Sequence, residues 1–421
     1  MILFSLAYRS LVNRKLTTII TLLSLGLSVS LWVGIEHIRR GARESFSNTI
    51  SQTDLIVGAR GSPIQLLLYT VFHIGTPTAN VTYKSYEAIK NNQAVLWTIP
   101  ISLGDSHRGF RVVGTSEDFY RHYRYRQDQQ LDFAQGRAPS GIFDVALGSD
   151  VAQALHYGLG ARIVVTHGIT NSRGIMDHDD KPFTVVAVLR PTRTPIDRSL
   201  YVTLEGIEAM HIDWKDGAPP IKGQETPAEK IKKEDIKIEQ ITAFFLRTKS
   251  RVQTLALQRE ITNFSEEPLT AVVPGVALSE LWSGISYGEQ VLQVVAIFVV
   301  IVGLLGMLMS LYTSLNERRR EIAILRALGL GPVKVILLLV CESGLLTLIG
   351  TILGVGIVYG SVLLLQPVIE QQFGLHIPLR PLTPTQYIYL ACVVLGGIAI
   401  GLIPAWKAYR NALSDGLSIR V

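Results

Sequence analysis

Four long apolar runs constrain this chain more than any other feature. Residues 17–35, 291–313, 335–365 and 387–405 are almost free of charge. A helix rises about 1.5 Å per residue, so roughly 20 apolar residues cross the ~30 Å hydrocarbon layer of a bilayer. A helix also satisfies its own backbone hydrogen bonds, which lipid cannot do. Each run is therefore expected to be a membrane-spanning helix. The third is longer than one crossing requires and should tilt or project beyond the bilayer. The first, Thr17–Ile35, is too long for a secretory h-region and no small-residue cleavage pattern precedes Glu36, so it reads as a retained span. Charged residues make up only 18% of the chain, against about a quarter in soluble domains. That deficit excludes a disordered chain and an ordinary soluble enzyme. The two cysteines, Cys341 and Cys392, both sit inside apolar runs. They exclude a disulfide framework and a Cys-rich zinc site.

Basic residues give the orientation. The N-terminal stub, the 314–334 connection and the C-terminal tail together carry eleven Lys/Arg against three Asp/Glu. The long loop 37–287 carries 28 against 27. Lys and Arg favour the cytoplasmic side, so both termini and the 314–334 connection are expected inside, and the long loop and the 366–386 connection outside. The net charge of +6 is thus a topology signal, and no nucleic-acid partner is inferred from it. The expected organisation is a cytoplasmic amphipathic segment at 1–16, spans at 17–35, 291–313, 335–365 and 387–405, an external domain at 36–290, a cytoplasmic helix at 314–334, an external loop at 366–386 and a cytoplasmic tail at 406–421. The fold class is a membrane protein of four transmembrane α-helices with a large extracytoplasmic α+β domain inserted between helices 1 and 2.

The external segment reads as folded. Gly109–Gly114, Val145–Gly148, Arg162–Thr166 and Phe183–Leu189 are short β-branched runs bounded by Gly, Pro or charge, as strands are. Ser149–Leu159 reads as a short amphipathic helix, and ITAFFLR at 241–247 as a further strand. Residues 213–240 are rich in Pro, Lys and Glu and read as an exposed, charged excursion.

The 314–334 connection, SLNERRREIAILRALGLGPVK, places Ile322, Leu325 and Leu328 on one helical face behind a Glu/Arg cluster, and Gly329, Gly331 and Pro332 end the helix. A short charged helix with one apolar stripe suits docking into another protein's groove. With the plan of one span, a large external domain and three more spans, this segment resembles the permease family that includes the macrolide exporter MacB, the lipoprotein-releasing LolC and LolE, and the cell-division protein FtsX. The external segments FDVALGSDVAQALHYGLGARIVV and FTVVAVLRPTRTPIDRSLYVTLEGI are similar to the periplasmic domain of the MacB and Lol branches. The resemblance implies a homo- or heterodimeric permease of the bacterial inner membrane, driven by a cytoplasmic ABC ATPase that carries ATP and Mg. It also implies that Glu317, Arg318, Arg319, Arg320, Glu321, Ile322, Leu325, Arg326, Leu328 and Gly329 form the helix coupled to that ATPase. MacB carries its ATPase on the same polypeptide. These 421 residues contain no G-x-x-x-x-G-K-[ST] phosphate loop, so the ATPase is expected on a separate chain. The substrate classes implied are lipoprotein, lipid, peptide or hydrophobic drug. Two alternatives stand beside transport of these: an FtsX-like regulator of a cell-wall hydrolase, and a metal-linked, zinc-type system with a periplasmic protein partner.

Other residues carry weaker signals. Ser24, Ser28, Ser30 and Gly34 place small side chains at spacing four on the first span, a pattern that lets helices approach closely in lipid. They are the candidate dimer seam, whereas Gly350/Gly354, Gly356/Gly360 and Gly397/Gly401 read as packing within one chain. Glu342 is costly in hydrocarbon and is expected to sit near the interface or to pair with a neighbour. His167, Asp177, His178, Asp179 and Asp180 bring imidazole and carboxylate together in a polar loop and are the candidate ligands for zinc or another divalent cation. Phe119–Arg126 (FYRHYRYR) alternates aromatic and basic residues and reads either as a strand with one exposed basic face or as a contact for anionic lipid headgroups or a carboxylated substrate. LLLYTVFHI within 63–76 is too short to span and reads as core. Gly284–Gly288 matches the G-x-S-x-G nucleophile elbow, but it directly precedes a span, so no catalytic residue is assigned and the Gly pair reads as a flexible joint.

Overall fold

The computed structural model describes residues 2–126, 128–168, 180–213, 226–317, 331–373 and 377–414. It divides into two compact units, one of residues 1–41, 285–366 and 377–421, the other of 42–284 with 367–376.

Four helices are long and apolar enough to cross a membrane: Lys15–Ser47, Pro274–Glu317, Pro332–Phe373 and Pro384–Ser414. Each runs past its apolar stretch into polar sequence, and Pro367 and Pro404 lie inside the third and fourth helices without ending them. The chain opens on a separate helix, Ile2–Asn13, which buries Ala7 and Leu11 in the same apolar cluster as the spanning helices. Small residues let these helices approach. A side chain on Gly350 would meet Leu25, and one on Gly354 would lie 2.6 Å from the Gly26 carbonyl oxygen. Gly397 packs against Thr347 and Gly401 against Ser343. Glu342 is buried and accepts a hydrogen bond from Ser10 Oγ at 2.9 Å. Stacking of Trp32 on Tyr389, with ring centroids 3.7 Å apart, ties the first spanning helix to the fourth.

The second unit holds fifteen strands among the described residues. They are β1 (Leu55–Ala59), β2 (Val81–Thr82), β3 (Val95–His107), β4 (Phe110–Thr115), β5 (Arg124–Tyr125), β6 (Gln129–Gln130), β7 (Phe133–Gly136) and β8 (Asp144–Leu147), followed by β9 (Arg162–Ile163), β10 (Thr166–His167), β11 (Phe183–Leu189), β12 (Ser199–Thr203), β13 (Gln240–Ile241), β14 (Ala243–Thr248) and β15 (Leu269–Val272). Eleven of them form one sheet in the order β15-β1-β14-β3-β4-β12-β8-β11-β7, with β10 added to β3 and β9 to β11. The β12–β4 and β11–β8 pairs are parallel and the rest antiparallel. β11 shows the period-2 pattern: Phe183, Val185, Ala187 and Leu189 are buried while Thr184 is exposed. Burying each of Phe183, Val185 and Leu189 contributes about 1.5–3 kcal/mol before conformational entropy is counted. Helices Pro63–Val71, Tyr83–Lys90, Ser149–Leu155, Leu204–His211 and Arg251–Thr262 complete an α+β fold.

Several expectations change in detail. The helix expected to Leu159 ends at Leu155, where His156 takes a left-handed φ of 55°. The run 162–166 is two short strands on different partners. FYRHYRYR is not one strand: Glu117–His122 is helical, only Arg124–Tyr125 is a two-residue strand, and Phe119, Tyr120, Tyr123 and Tyr125 are core residues. Aromatic burial outweighs alternation there, leaving only the Arg and His side chains toward solvent. Gly284–Gly288 lies inside the continuous helix Pro274–Glu317, so neither a strand–turn–helix elbow nor a break exists there. Part of the 213–240 excursion lies outside the described residues. Its later half is anchored by buried Ile231 and by a Lys233–Glu205 ion pair at 2.8 Å.

Candidate functional site

The external domain gathers three metal-ligating side chains from distant parts of the chain. β3 and β4 are joined by the two-residue turn Arg108–Gly109, with φ of 48° and 85°. Two successive positive φ values match the twist of a tight hairpin, and Gly109 supplies the second without strain. Before this turn β3 carries one extra residue relative to β4, where the register shifts between Leu103 and Ser106. Such a bulge re-aims the side chains beside it. Asp105 sits in the bulge, only 5% exposed. On the other edge of β3, β10 pairs antiparallel and places His167 directly opposite Asp105.

His167 Nδ1 lies 2.9 Å from Asp105 Oδ1. His211 is the last residue of the helix Leu204–His211, whose start is fixed by Thr203 Oγ1 accepting the Gly206 N–H at 3.1 Å. Its ring stacks on that of His167, with centroids 4.6 Å apart and planes 15° apart. One ligand atom from each of Asp105, His167 and His211 lies within 4.8 Å of the others. Burial, with smaller contributions from neighbouring charges, holds the His211 imidazole below its ordinary pKa and so favours the neutral form that ligates metals.

Of the five residues the sequence offers for this chemistry, the structure places His167 beside Asp105 and His211. Asp180 pairs instead with the buried Lys181 at 2.8 Å, and Lys181 pairs also with Asp213 at 2.6 Å. Asp177, His178 and Asp179 lie outside the described residues. Asp105 and His211 were missed because sheet pairing and helix placement, rather than sequence spacing, bring them to His167.

A second feature is a cleft of about 210 Å³ of mixed lining, with Phe46, Leu67, Phe72 and Trp282 beside Arg43 and Ser47. Phe46 contacts Phe72 at 4.4 Å and Trp282 at 5.6 Å between ring centroids. The Trp282 indole N–H is buried there without a hydrogen-bond acceptor among the described residues.

In the helical unit, Ser28 is buried and its Oγ lies 2.7 Å from the position a Cβ on Gly303 would take, so this member of the candidate seam is used within one chain. Ser24 is exposed, Ser30 is half-buried with its hydroxyl bonded to the Leu27 carbonyl at 2.9 Å, and Gly34 faces Val358. Arg318, Arg319, Arg320, Glu321, Ile322, Leu325, Arg326, Leu328 and Gly329 lie outside the described residues, and Glu317 ends the second spanning helix.

Four apolar helices with a mixed α+β domain between the first and second define a membrane protein with a large external domain. Residues 18–264 match the family model of the MacB-like periplasmic core domain, and residues 293–416 that of the FtsX-like permease C-terminal region. The chain belongs to this family of MacB-like and FtsX-like ABC permeases. Among solved structures it is similar to the periplasmic region of MacB from Actinobacillus actinomycetemcomitans, with 11% identity over 56% of this chain and 96% of that one and a TM-score of 0.34. It is also similar to the extracellular domain of the noncanonic ABC-type transporter YknZ from Gram-positive bacteria, with 13% identity over 52% and 98% of the two chains and a TM-score of 0.29. No curated protein matches the sequence.

Proposed function

We propose that this chain is the membrane subunit of a two-component ABC system, in which a separate cytoplasmic ATPase drives motion of the external domain. The observation that carries this reading is the pairing of a MacB-like external domain at 18–264 with an FtsX-like C-terminal region at 293–416. The same 421 residues lack a phosphate loop, whose backbone amides and lysine would cradle the nucleotide phosphates. ATP and Mg are therefore assigned to the partner. Two copies, identical or paired with a related permease, form the working unit. Both termini and the 314–334 connection face the cytoplasm, since the basic excess lies there.

The charged helix 317–329 docks on the ATPase through its Arg cluster and its Ile322/Leu325/Leu328 stripe. The cargo already lies outside the inner membrane, and the external domain extracts or pushes it. The aromatic side chains Phe46, Phe72 and Trp282, in a cleft also lined by Arg43 and Ser47, favour a cargo with an apolar end. At about 210 Å³ the cleft is smaller than the ~300–1,000 Å³ that encloses a drug-sized molecule. An acyl chain end or an apolar peptide side chain fits it better than a whole drug does, which favours lipid, lipoprotein or peptide cargo.

Purification of the tagged chain from its native membrane in mild detergent, followed by mass spectrometry, tests the pairing. A co-purifying ATPase is the expected result. Charge reversal of Arg318, Arg319 and Arg320 to Glu is expected to reduce its capture by tenfold or more while leaving the permease folded. Capture undiminished by that reversal would remove the coupling role from this helix, and absence of any ATPase would overturn the two-component reading.

A further inference from the structure

The geometry points to a binding site for one divalent transition-metal ion of the zinc class on the external domain, held by Asp105, His167 and His211. Three elements converge on it: the bulge of β3, the short strand β10 and the C-terminal end of the helix Leu204–His211. The donor set is two imidazoles and one carboxylate. Imidazole nitrogen selects zinc and its first-row neighbours over magnesium and calcium, which take oxygen ligands. In a tetrahedral site with bonds of 2.0–2.2 Å the ligand atoms stand about 3.4 Å apart. The three donor atoms here lie within 4.8 Å of one another, so a contraction of at most about 1.4 Å brings the widest pair to that spacing.

The near-parallel stacking of the two imidazoles keeps both rings beside the Asp105 carboxylate. Three protein ligands leave a fourth position for water or for a donor from a partner, which is the arrangement of an exchangeable site rather than a closed structural one.

The local charge also suits a cation. Lys181 is fully buried but bonded to both Asp180 and Asp213, so those three side chains together carry one net negative charge. Asp105 adds a second. An ion held here crosslinks residues 105, 167 and 211, and thereby ties the helix Leu204–His211 to the β3–β10 edge. This inference does not depend on the ATPase pairing, because the site lies wholly within the external domain.

Full-length protein in detergent, stripped with a chelator and reloaded with zinc alone, provides the test. We expect one zinc per chain to survive competition with a colorimetric chelator, and Co(II) in its place to show the visible bands of a four-coordinate ion. Asp105→Asn and His211→Ala are each expected to weaken zinc at least by the ~10- to 100-fold that loss of even an outer-sphere partner costs. Zinc retained equally by both variants would overturn the assignment, as would no zinc retained by the unsubstituted protein. Loss of zinc in His178→Ala, with Asp105→Asn and His211→Ala unaffected, would move the site to the 177–180 loop and overturn it too. Should either variant fail to fold by circular dichroism and size exclusion, X-ray absorption on zinc-loaded unsubstituted protein decides. Two imidazoles in the coordination sphere support the site, and a sphere without imidazole overturns it.

Discussion

Asp197 is a residue whose environment makes a measurable prediction. It is 3% exposed, in the short turn Pro195–Arg198 that leads into β12. Its carboxylate accepts hydrogen bonds from the Thr192 N–H and hydroxyl at 2.9 and 2.8 Å and from the Arg193 N–H at 2.6 Å. Burial pushes its pKa up to about 6, against the opposing pull of those donors. Between its unfolded value near 3.8 and about 6, the folded state therefore holds a proton that the unfolded state has lost. Stability from this group is greatest at low pH and falls as pH rises through that window, by up to about 1.4 kcal/mol per pH unit. Asp197→Asn removes this slope. Thermal unfolding of both proteins from pH 4 to 7 checks this; parallel pH curves would contradict it. At the same scale, His167 was legible as a ligand-type residue from its neighbours in sequence. Asp105 was not, because its place beside His167 comes from a bulge and from a strand 62 positions further along the chain, and nothing in GDSH announces either.

At the scale of elements, the apolar runs showed where the spanning helices lie but not where they end. Lys15–Ser47 and Pro274–Glu317 carry on through Arg, Glu and Ser residues that hydropathy assigns to loops. Helix continuation there depends on local propensity and on the lack of a stop signal, and apolar content does not report it. The strands β4, β8, β11 and β14 lie where short β-branched runs bounded by Gly, Pro or charge placed them; β11 alternates, whereas β4, β8 and β14 are buried almost throughout. FYRHYRYR misled because alternating aromatics satisfy a helix against the core as well as a strand. Glycine spacing was legible as close packing, yet spacing alone did not distinguish Gly354 from Gly356. A Cβ on Gly354 meets the Gly26 carbonyl oxygen at 2.6 Å and Val29 Cβ at 2.8 Å, whereas one on Gly356 meets nothing within 4 Å. Gly354→Val is thus expected to cost about 1–3 kcal/mol through overpacking, and Gly356→Val to leave folding within about 0.5 kcal/mol, as surface changes do. Yield of monodisperse protein and its thermal midpoint in detergent measure both. Equal losses at the two positions would contradict the packing of the first spanning helix on the third.

For the whole molecule, four apolar helices and one inserted domain were readable from the sequence because bilayer thickness and backbone hydrogen bonding leave few alternatives. The family followed from the same plan and matches at 18–264 and 293–416. The eleven-stranded sheet order was not readable, since pairing β12 with β4 and β14 with β3 joins segments more than 80 residues apart. The central claim is that ATP hydrolysis on a separate chain moves this external domain. Val252, 86% exposed on the helix Arg251–Thr262, is a suitable reporter position. A spin label on Val252→Cys, with Cys341 and Cys392 replaced by Ser, gives an intermolecular distance in the reconstituted permease–ATPase complex. That distance distribution, measured by pulsed electron resonance in nanodiscs with no nucleotide and with ATP trapped by vanadate, is predicted to shift between two discrete states. An unchanged distribution in a complex that hydrolyses ATP would contradict the account.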